Sequence, residues 1–95
     1  MQLGNDLPEG IGNDRLYYFY TQSCPACKAM TPVVDSLSEK FPGVRKVDAA
    51  KEHDLAAKFN VTATPTTVFV KNGKIDRFFV GAKREKDLLE LLENY

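Results

Sequence analysis

The sequence predicts an α/β domain built on a mixed four-stranded sheet with helices on both faces, in the order β-α-β-α-β-β-α. Three observations predict it. A strand-sized aromatic run, Leu16 to Thr21, is followed by Met30, Val33, Val34, Leu37 and Phe41 at helical spacing. Two β-branched and aromatic runs, Thr66 to Lys71 and Ile75 to Val80, flank Asn72-Gly73, the dipeptide best suited to a two-residue hairpin. The length, 95 residues, leaves room for a single core. We therefore expect one domain over residues 15–95, preceded by an arm, 1–14, in which Gly4, Pro8, Gly10 and Gly12 break every period.

Each element has its own reason. Leu16 to Thr21 is nearly continuous in apolar character, as a central strand covered on both faces would be. Thr21-Gln22-Ser23 then breaks the run. Ser23 is expected to cap a helix that opens at Cys24-Pro25-Ala26-Cys27, with Pro25 in the first turn, where no backbone donor is needed. The stripe that begins at Ala26 ends near Pro42-Gly43, and Pro32 inside it predicts a kink. Val44 to Asp48 reads as a second strand, so that strand, helix and strand form a parallel, right-handed βαβ unit. Lys51 to Phe59 is expected to be a short helix stopped by Asn60. The hairpin follows, and Lys83 to Asn94 carries leucines at helical spacing with Glu85 and Asp87 near its positive end. The expected core is Phe19, Met30, Val33, Val34, Leu37, Val47, Leu55, Phe59, Val68, Val70, Leu88 and Leu91.

Composition narrows the function classes. Thirteen basic residues balance thirteen acidic ones, which offers no long-range attraction to nucleic acid or an anionic membrane. Residues 1–13 lack the basic start and apolar run of a signal peptide, and no stretch reaches the roughly 18 apolar residues of a membrane span. A cytoplasmic monomer is expected. In such a compartment two cysteines are poor structural staples. A bridge over a loop of about four residues would remove only about 2 kcal/mol of denatured-state entropy, against about 3 for a loop of about fifteen.

The Cys24/Cys27 spacing instead suits redox chemistry. A helix N-terminus favours the thiolate of Cys24, and Cys27, one turn further in, can attack Cys24 to close a ring. The alternative for a lone C-x-x-C is half of a zinc site. Here only His53 could serve as a further soft ligand and there is no second cysteine pair, so no metal is expected. His53 reads as an ordinary polar residue in the first turn of the second helix. Asn60-Val61-Thr62 has the form of a glycosylation sequon, but helix termination explains Asn60 better. Lys83-Arg84-Glu85-Lys86-Asp87 reads as a solvated helix start.

From Leu16 to Leu92 the chain resembles the thioredoxin family. Phe19 lies five residues before Cys24, Lys28 follows the second cysteine, Pro32 falls at the helix proline, and Asp48 closes the second strand. Ala63-Thr64-Pro65-Thr66-Thr67-Val68-Phe69-Val70-Lys71-Asn72-Gly73-Lys74 and Val80-Gly81-Ala82 resemble the family's cis-proline strand, hairpin and glycine loop. The resemblance implies a thioredoxin fold lacking the family's first strand and helix. It also implies a protein-disulfide reductase and electron carrier with Cys24 and Cys27 as catalytic residues. Pro25, Ala26, Thr64, Pro65 and Gly81 would then contact substrate, and no cofactor would be needed beyond the redox-active disulfide. The implied partners are protein disulfides and an upstream reductase such as thioredoxin reductase. The Thr64–Pro65 bond would be cis, the alternative being a trans proline that opens an edge strand. Gly81 would admit a substrate backbone, or simply end the strand.

The departures from the family pattern are specific. Ser23 stands where the family usually has Trp, and Pro25-Ala26 replaces Gly-Pro. The family's buried acid and its partner lysine align with Tyr18 and Val44, so the usual proton relay is expected to be absent, with water or another group in its place. A glutathione-dependent, glutaredoxin-like reductase is the alternative enzyme, although Val80-Gly81-Ala82-Lys83 replaces the Gly-Gly-x-Asp type of loop. A non-enzymatic thioredoxin-like binding subunit is the second alternative.

Overall fold

Alternation along one strand organises the molecule. In the structure, a computed structural model describing residues 14–94, strand β1 (Leu16–Tyr20) lies inside a four-stranded sheet. Its side chains point alternately to the two faces. Leu16 and Tyr18 enter one apolar cluster, Tyr17 and Phe19 the other, and all four are fully buried. The expected central strand is therefore present, ending one residue before Thr21.

Helix α1 (Pro25–Lys40) follows, then β2 (Val44–Asp48), α2 (His53–Lys58), β3 (Thr66–Lys71), β4 (Lys74–Val80) and α3 (Glu85–Glu93). The sheet order is β2-β1-β3-β4. β1 runs parallel to β2 and antiparallel to β3, and β3 pairs antiparallel with β4. Helices α1 and α3 cover one face through Met30, Val34, Leu37, Leu88 and Leu92, while α2 covers the other through Ala56 and Phe59. This is the mixed sheet with helices on both faces that the sequence predicts. The expected arm falls almost wholly on residues 1–13, outside the described ones.

Several local expectations are corrected. Ser23 is exposed and does not cap α1. Cys24 is itself the N-cap, in extended conformation, and its sulfur accepts from the Cys27 N–H. Pro25 at the first helical position fixes that assignment, because the residue before a proline is pushed to extended backbone. Ala26, expected on the apolar stripe, is exposed, and Cys27 takes the buried position. In α3 the buried partner of Leu88 is Leu92, with Leu91 only half-buried, since a step of four stays nearer the apolar seam here than a step of three. Val33 and Leu55 are likewise half-buried at the margins of the two clusters.

Helix α2 begins later than Lys51 because the chain first turns on Asp48. The Asp48 carbonyl accepts from the Lys51 and Glu52 N–H groups, and its carboxylate accepts from Ala50 N at 3.0 Å. Asn60, with φ 59°, ends the helix as expected. Asn72 and Gly73, with φ of 56° and 74°, form the two-residue turn between β3 and β4, both in the left-handed region that such a turn demands.

Candidate active site

The site is assembled where β1 ends and α1 begins, because a parallel strand and its crossover helix place the loop between them at the sheet's carboxyl edge. Cys24 and Cys27 are joined there as a disulfide, with Cα atoms 5.2 Å apart. The two sulfurs differ in setting. Cys24 is partly exposed, whereas Cys27 is 1% exposed and belongs to the buried side of α1. The Cys27 N–H points at Cys24 Sγ at 3.1 Å, one of the first-turn donors that a helix leaves without a backbone partner. No acidic residue occupies the first turn, and Lys28 follows directly. A thiolate at Cys24 would meet the positive end of a helix of 16 residues.

The second wall comes from the approach to β3. The Thr64–Pro65 bond is cis, and the Thr64 carbonyl oxygen lies 3.6 Å from Cys24 Sγ. With the disulfide closed that sulfur has no proton, so this is a contact. In the dithiol the Cys24 S–H could donate to the carbonyl. Pro65 is buried, and its carbonyl accepts from the Gly81 N–H at 2.8 Å, which ties the glycine loop to the same edge. A Cβ on Gly81 would meet nothing within 4 Å, but its φ of 101° excludes most side chains. Glycine there is demanded by backbone shape, with open space above it. Pro25 and Ala26 are exposed on the helix tip. The structure thus brings Thr64, Pro65 and Gly81 to one edge around Cys24, with Pro25 and Ala26 beside it.

Two buried polar residues stand close to the dithiol loop. Tyr18, fully buried beneath α1, donates its phenolic proton to the Cys27 carbonyl oxygen at 3.3 Å and lies 3.1 Å from Thr31 Oγ1. Burial raises its pKa above 10.0, with the Thr31 hydrogen bond opposing, so it is a neutral phenol near neutral pH. The resemblance places Tyr18 at the family's buried acid, but only the packing shows which helix atoms it reaches. Asp48 is 7% exposed and, beyond its turn contacts, accepts from Gln22 Nε2 at 3.4 Å.

A hollow of about 380 Å³ lies beside the Cys27 end, and another of about 330 Å³ adjoins Thr64. His53 lines the second hollow, exposed and 3.3 Å from Asp54. Among the described residues, no group of three or more His, Cys, Asp or Glu side chains could hold a metal ion. No helix among them is long and apolar enough to cross a membrane.

A sulfur pair that can close a ring, with one member exposed at a helix N-terminus, can perform thiol–disulfide exchange. Known proteins agree with that geometry. The thioredoxin family model matches residues 11–94. An H-type thioredoxin from Picea mariana is 39% identical over 83 residues, covering 83% of this chain and 66% of that protein. The mitochondrial thioredoxin of Mus musculus is 36% identical over 99 residues, covering 98% of this chain and 60% of its own length. Thioredoxin-T of Drosophila melanogaster is covered to 50%, so the chain spans half to two-thirds of the length of these curated relatives. Among solved structures, a mutant thioredoxin from Halobacterium salinarum has a TM-score of 0.78 at 33% identity, covering 84% of this chain and 72% of that one. The thioredoxin of Fasciola hepatica has a TM-score of 0.73 at 37% identity, covering 83% and 77%. On the extent of these matches, and with the dithiol at the edge of the same sheet, the chain belongs to the thioredoxin family.

Proposed function

We propose that the protein is a thiol–disulfide oxidoreductase that reduces protein disulfides through Cys24 and Cys27. One observation carries the reading: Cys24 Sγ receives the Cys27 N–H at 3.1 Å at the mouth of α1, beside the Thr64 carbonyl. The Cys24 thiolate attacks one sulfur of a substrate disulfide, and the other leaves with the bonding electron pair and takes up a proton. Cys27 then attacks Cys24 Sγ, breaking the mixed disulfide. The second substrate thiol leaves and the internal disulfide closes. Two electrons have passed to the substrate with no cofactor beyond the dithiol.

Thr64, just outside the paired stretch of β3, offers main-chain groups to an extended substrate segment. Pro65 and Gly81 flank its path, and Pro25 and Ala26 form the apolar tip it crosses. The partners are protein disulfides and an upstream disulfide reductase of the thioredoxin reductase type. The balanced charge favours neither nucleic acid nor membrane and suits a monomer in a reducing compartment such as the cytoplasm.

Reduction of insulin disulfides, coupled to thioredoxin reductase or separately to glutathione, tests the reading. The wild type should turn over with the reductase. Cys24→Ser should abolish turnover, and Cys27→Ser should accumulate a mixed disulfide visible by mass spectrometry. Activity with glutathione alone would make the protein glutaredoxin-like. Partner binding that survives loss of both cysteines would make it a binding subunit.

A further inference from the structure

Resolution of the mixed disulfide requires a proton to leave Cys27, a residue only 1% exposed. The groups around it supply no carboxylate bonded to that residue. From β1 come Tyr18 and Tyr20, and from α1 Lys28, Thr31 and Asp35. From β2 come Lys46, held to Asp35 at 2.6 Å, and Asp48, held by Gln22 and the amides of its own turn. β3 and α3 add Phe69, Leu88 and Leu92 to this side of the sheet. Tyr18 is too weak an acid to be ionised at neutral pH.

The two hydroxyls nevertheless have a determined direction. A phenol carries one proton, and Tyr18 gives it to the Cys27 carbonyl. The bond between the hydroxyls then requires Thr31 to be the donor and Tyr18 the acceptor. Both lone pairs of Thr31 Oγ1 are left free. Thr31 also lines the hollow of about 380 Å³ whose wall includes Cys27, Lys28 and Gln22. Gln22, Lys28 and Thr31 bring polar groups to a lining that is otherwise largely apolar, and the hollow is open to solvent and large enough for water. A water donating to Thr31 Oγ1 keeps its own lone pairs for an S–H.

We propose that Thr31, oriented by Tyr18, is a positioning residue for the resolving step and holds the water that accepts the proton of Cys27. The proposal rests on the thiol–disulfide exchange reading above. Cys27 S–H gives its proton to this water, and the thiolate attacks Cys24 Sγ. The bond from Cys24 to the substrate sulfur breaks, its electron pair goes to that sulfur, and solvent protonates it. The Tyr18 bond to the Cys27 carbonyl fixes the turn that carries the thiol.

The reduced protein, mixed with one equivalent of 5,5′-dithiobis(2-nitrobenzoate) in a stopped-flow instrument, separates the two steps. The first coloured thiolate is released on attack by Cys24, the second on resolution by Cys27. Thr31→Val should leave the first release unchanged and slow the second about tenfold near neutral pH. The deficit should shrink as pH rises, because hydroxide then removes the proton without the positioned water. Thr31→Ser, which keeps the hydroxyl, should match the wild type. Tyr18→Phe, which frees the Thr31 proton to turn toward the hollow, should slow the second release near neutral pH. A deficit equal at every pH, a Val variant as fast as wild type throughout, or a Ser variant as slow as Val would overturn the proposal. Failure of the wild type to release the second thiolate would overturn the exchange reading, and this one with it.

Discussion

The two faces of β1 are built from neighbouring residues and put their polar atoms to different uses. Beneath α2, Tyr17 and Phe19 pack on Phe59 with ring centroids 5.0 and 5.2 Å apart, and the cluster is completed by aliphatic side chains. Beneath α1, Tyr18 reaches through an otherwise apolar layer to the backbone of Cys27 and the hydroxyl of Thr31. Thr67, the cross-strand neighbour of Tyr18, adds a buried hydroxyl with no hydrogen-bond partner among the described residues. On the α2 face the polar atoms are satisfied by nearby loop backbone: the Tyr17 hydroxyl accepts from the Asp14 N–H, and the buried Thr66, opposite Phe19, donates its hydroxyl to the Ala63 carbonyl. The other face accepts polar groups in its interior and carries the dithiol, which is where a fold can be expected to depart from optimal packing.

This contrast can be broken most severely at Phe59. Phe59→Ala should destabilise the domain by about 3–5 kcal/mol, read from denaturant midpoints. The rate of attack by Cys24 in the folded fraction should stay unchanged, and a comparable loss of that rate would show that the faces are coupled. Alkaline titration probes both faces at once. Burial is the largest cause raising Tyr17 and Tyr18 above 10.0. Unfolded phenols lose their protons near that value while the folded ones retain them. The stability these residues contribute is therefore complete below about pH 10 and declines as pH rises through the folded values. Lys46, raised chiefly by its hydrogen bond to Asp35, acts in the same direction. Thermal midpoints from about pH 9 to about pH 11 should fall less steeply in Tyr17→Phe and in Tyr18→Phe than in the wild type. Equal slopes in all three would remove the tyrosines from the account. The smallest effect is expected at Thr67. Thr67→Val exchanges an unpaired buried hydroxyl for a methyl of the same shape and should stabilise by up to about 1 kcal/mol. A loss in the denaturant midpoint would mean that the hydroxyl has a bound partner.

What could be read from the sequence was whatever depends on period or on one residue's backbone. The unbroken run Leu16–Tyr20 implies a strand covered on both sides, and Asn72-Gly73 implies a turn with two positive φ angles. Cys24 and Cys27 were legible because their spacing is itself the chemistry. What was not legible depends on distant packing. The cap is the exception, a local matter: Ser23 is the expected cap, but Pro25 at the first helical position makes Cys24, the residue before it, the N-cap. Leu91 and Leu92 both satisfy helical spacing from Leu88, and the neighbouring sheet and α1 choose the second. The reach of Tyr18 to Thr31 depends on how closely α1 settles on β1, which no local pattern encodes.

The hairpin turn has a consequence for how the molecule tolerates change. β3 leaves the dithiol edge at Thr66 and reaches Asn72 only after its full length, about 20 Å at the usual rise of a strand. Gly73 has open space around it. Extra residues inserted there, a fluorophore or a fused partner would project from the end of the sheet remote from Cys24, and entropy penalises longer loops only weakly. The opposite edge has no such freedom, since Gly81 is hydrogen-bonded to Pro65 and the Thr64 carbonyl lies against the Cys24 sulfur. The domain thus has one end that can be lengthened and one that must keep its shape.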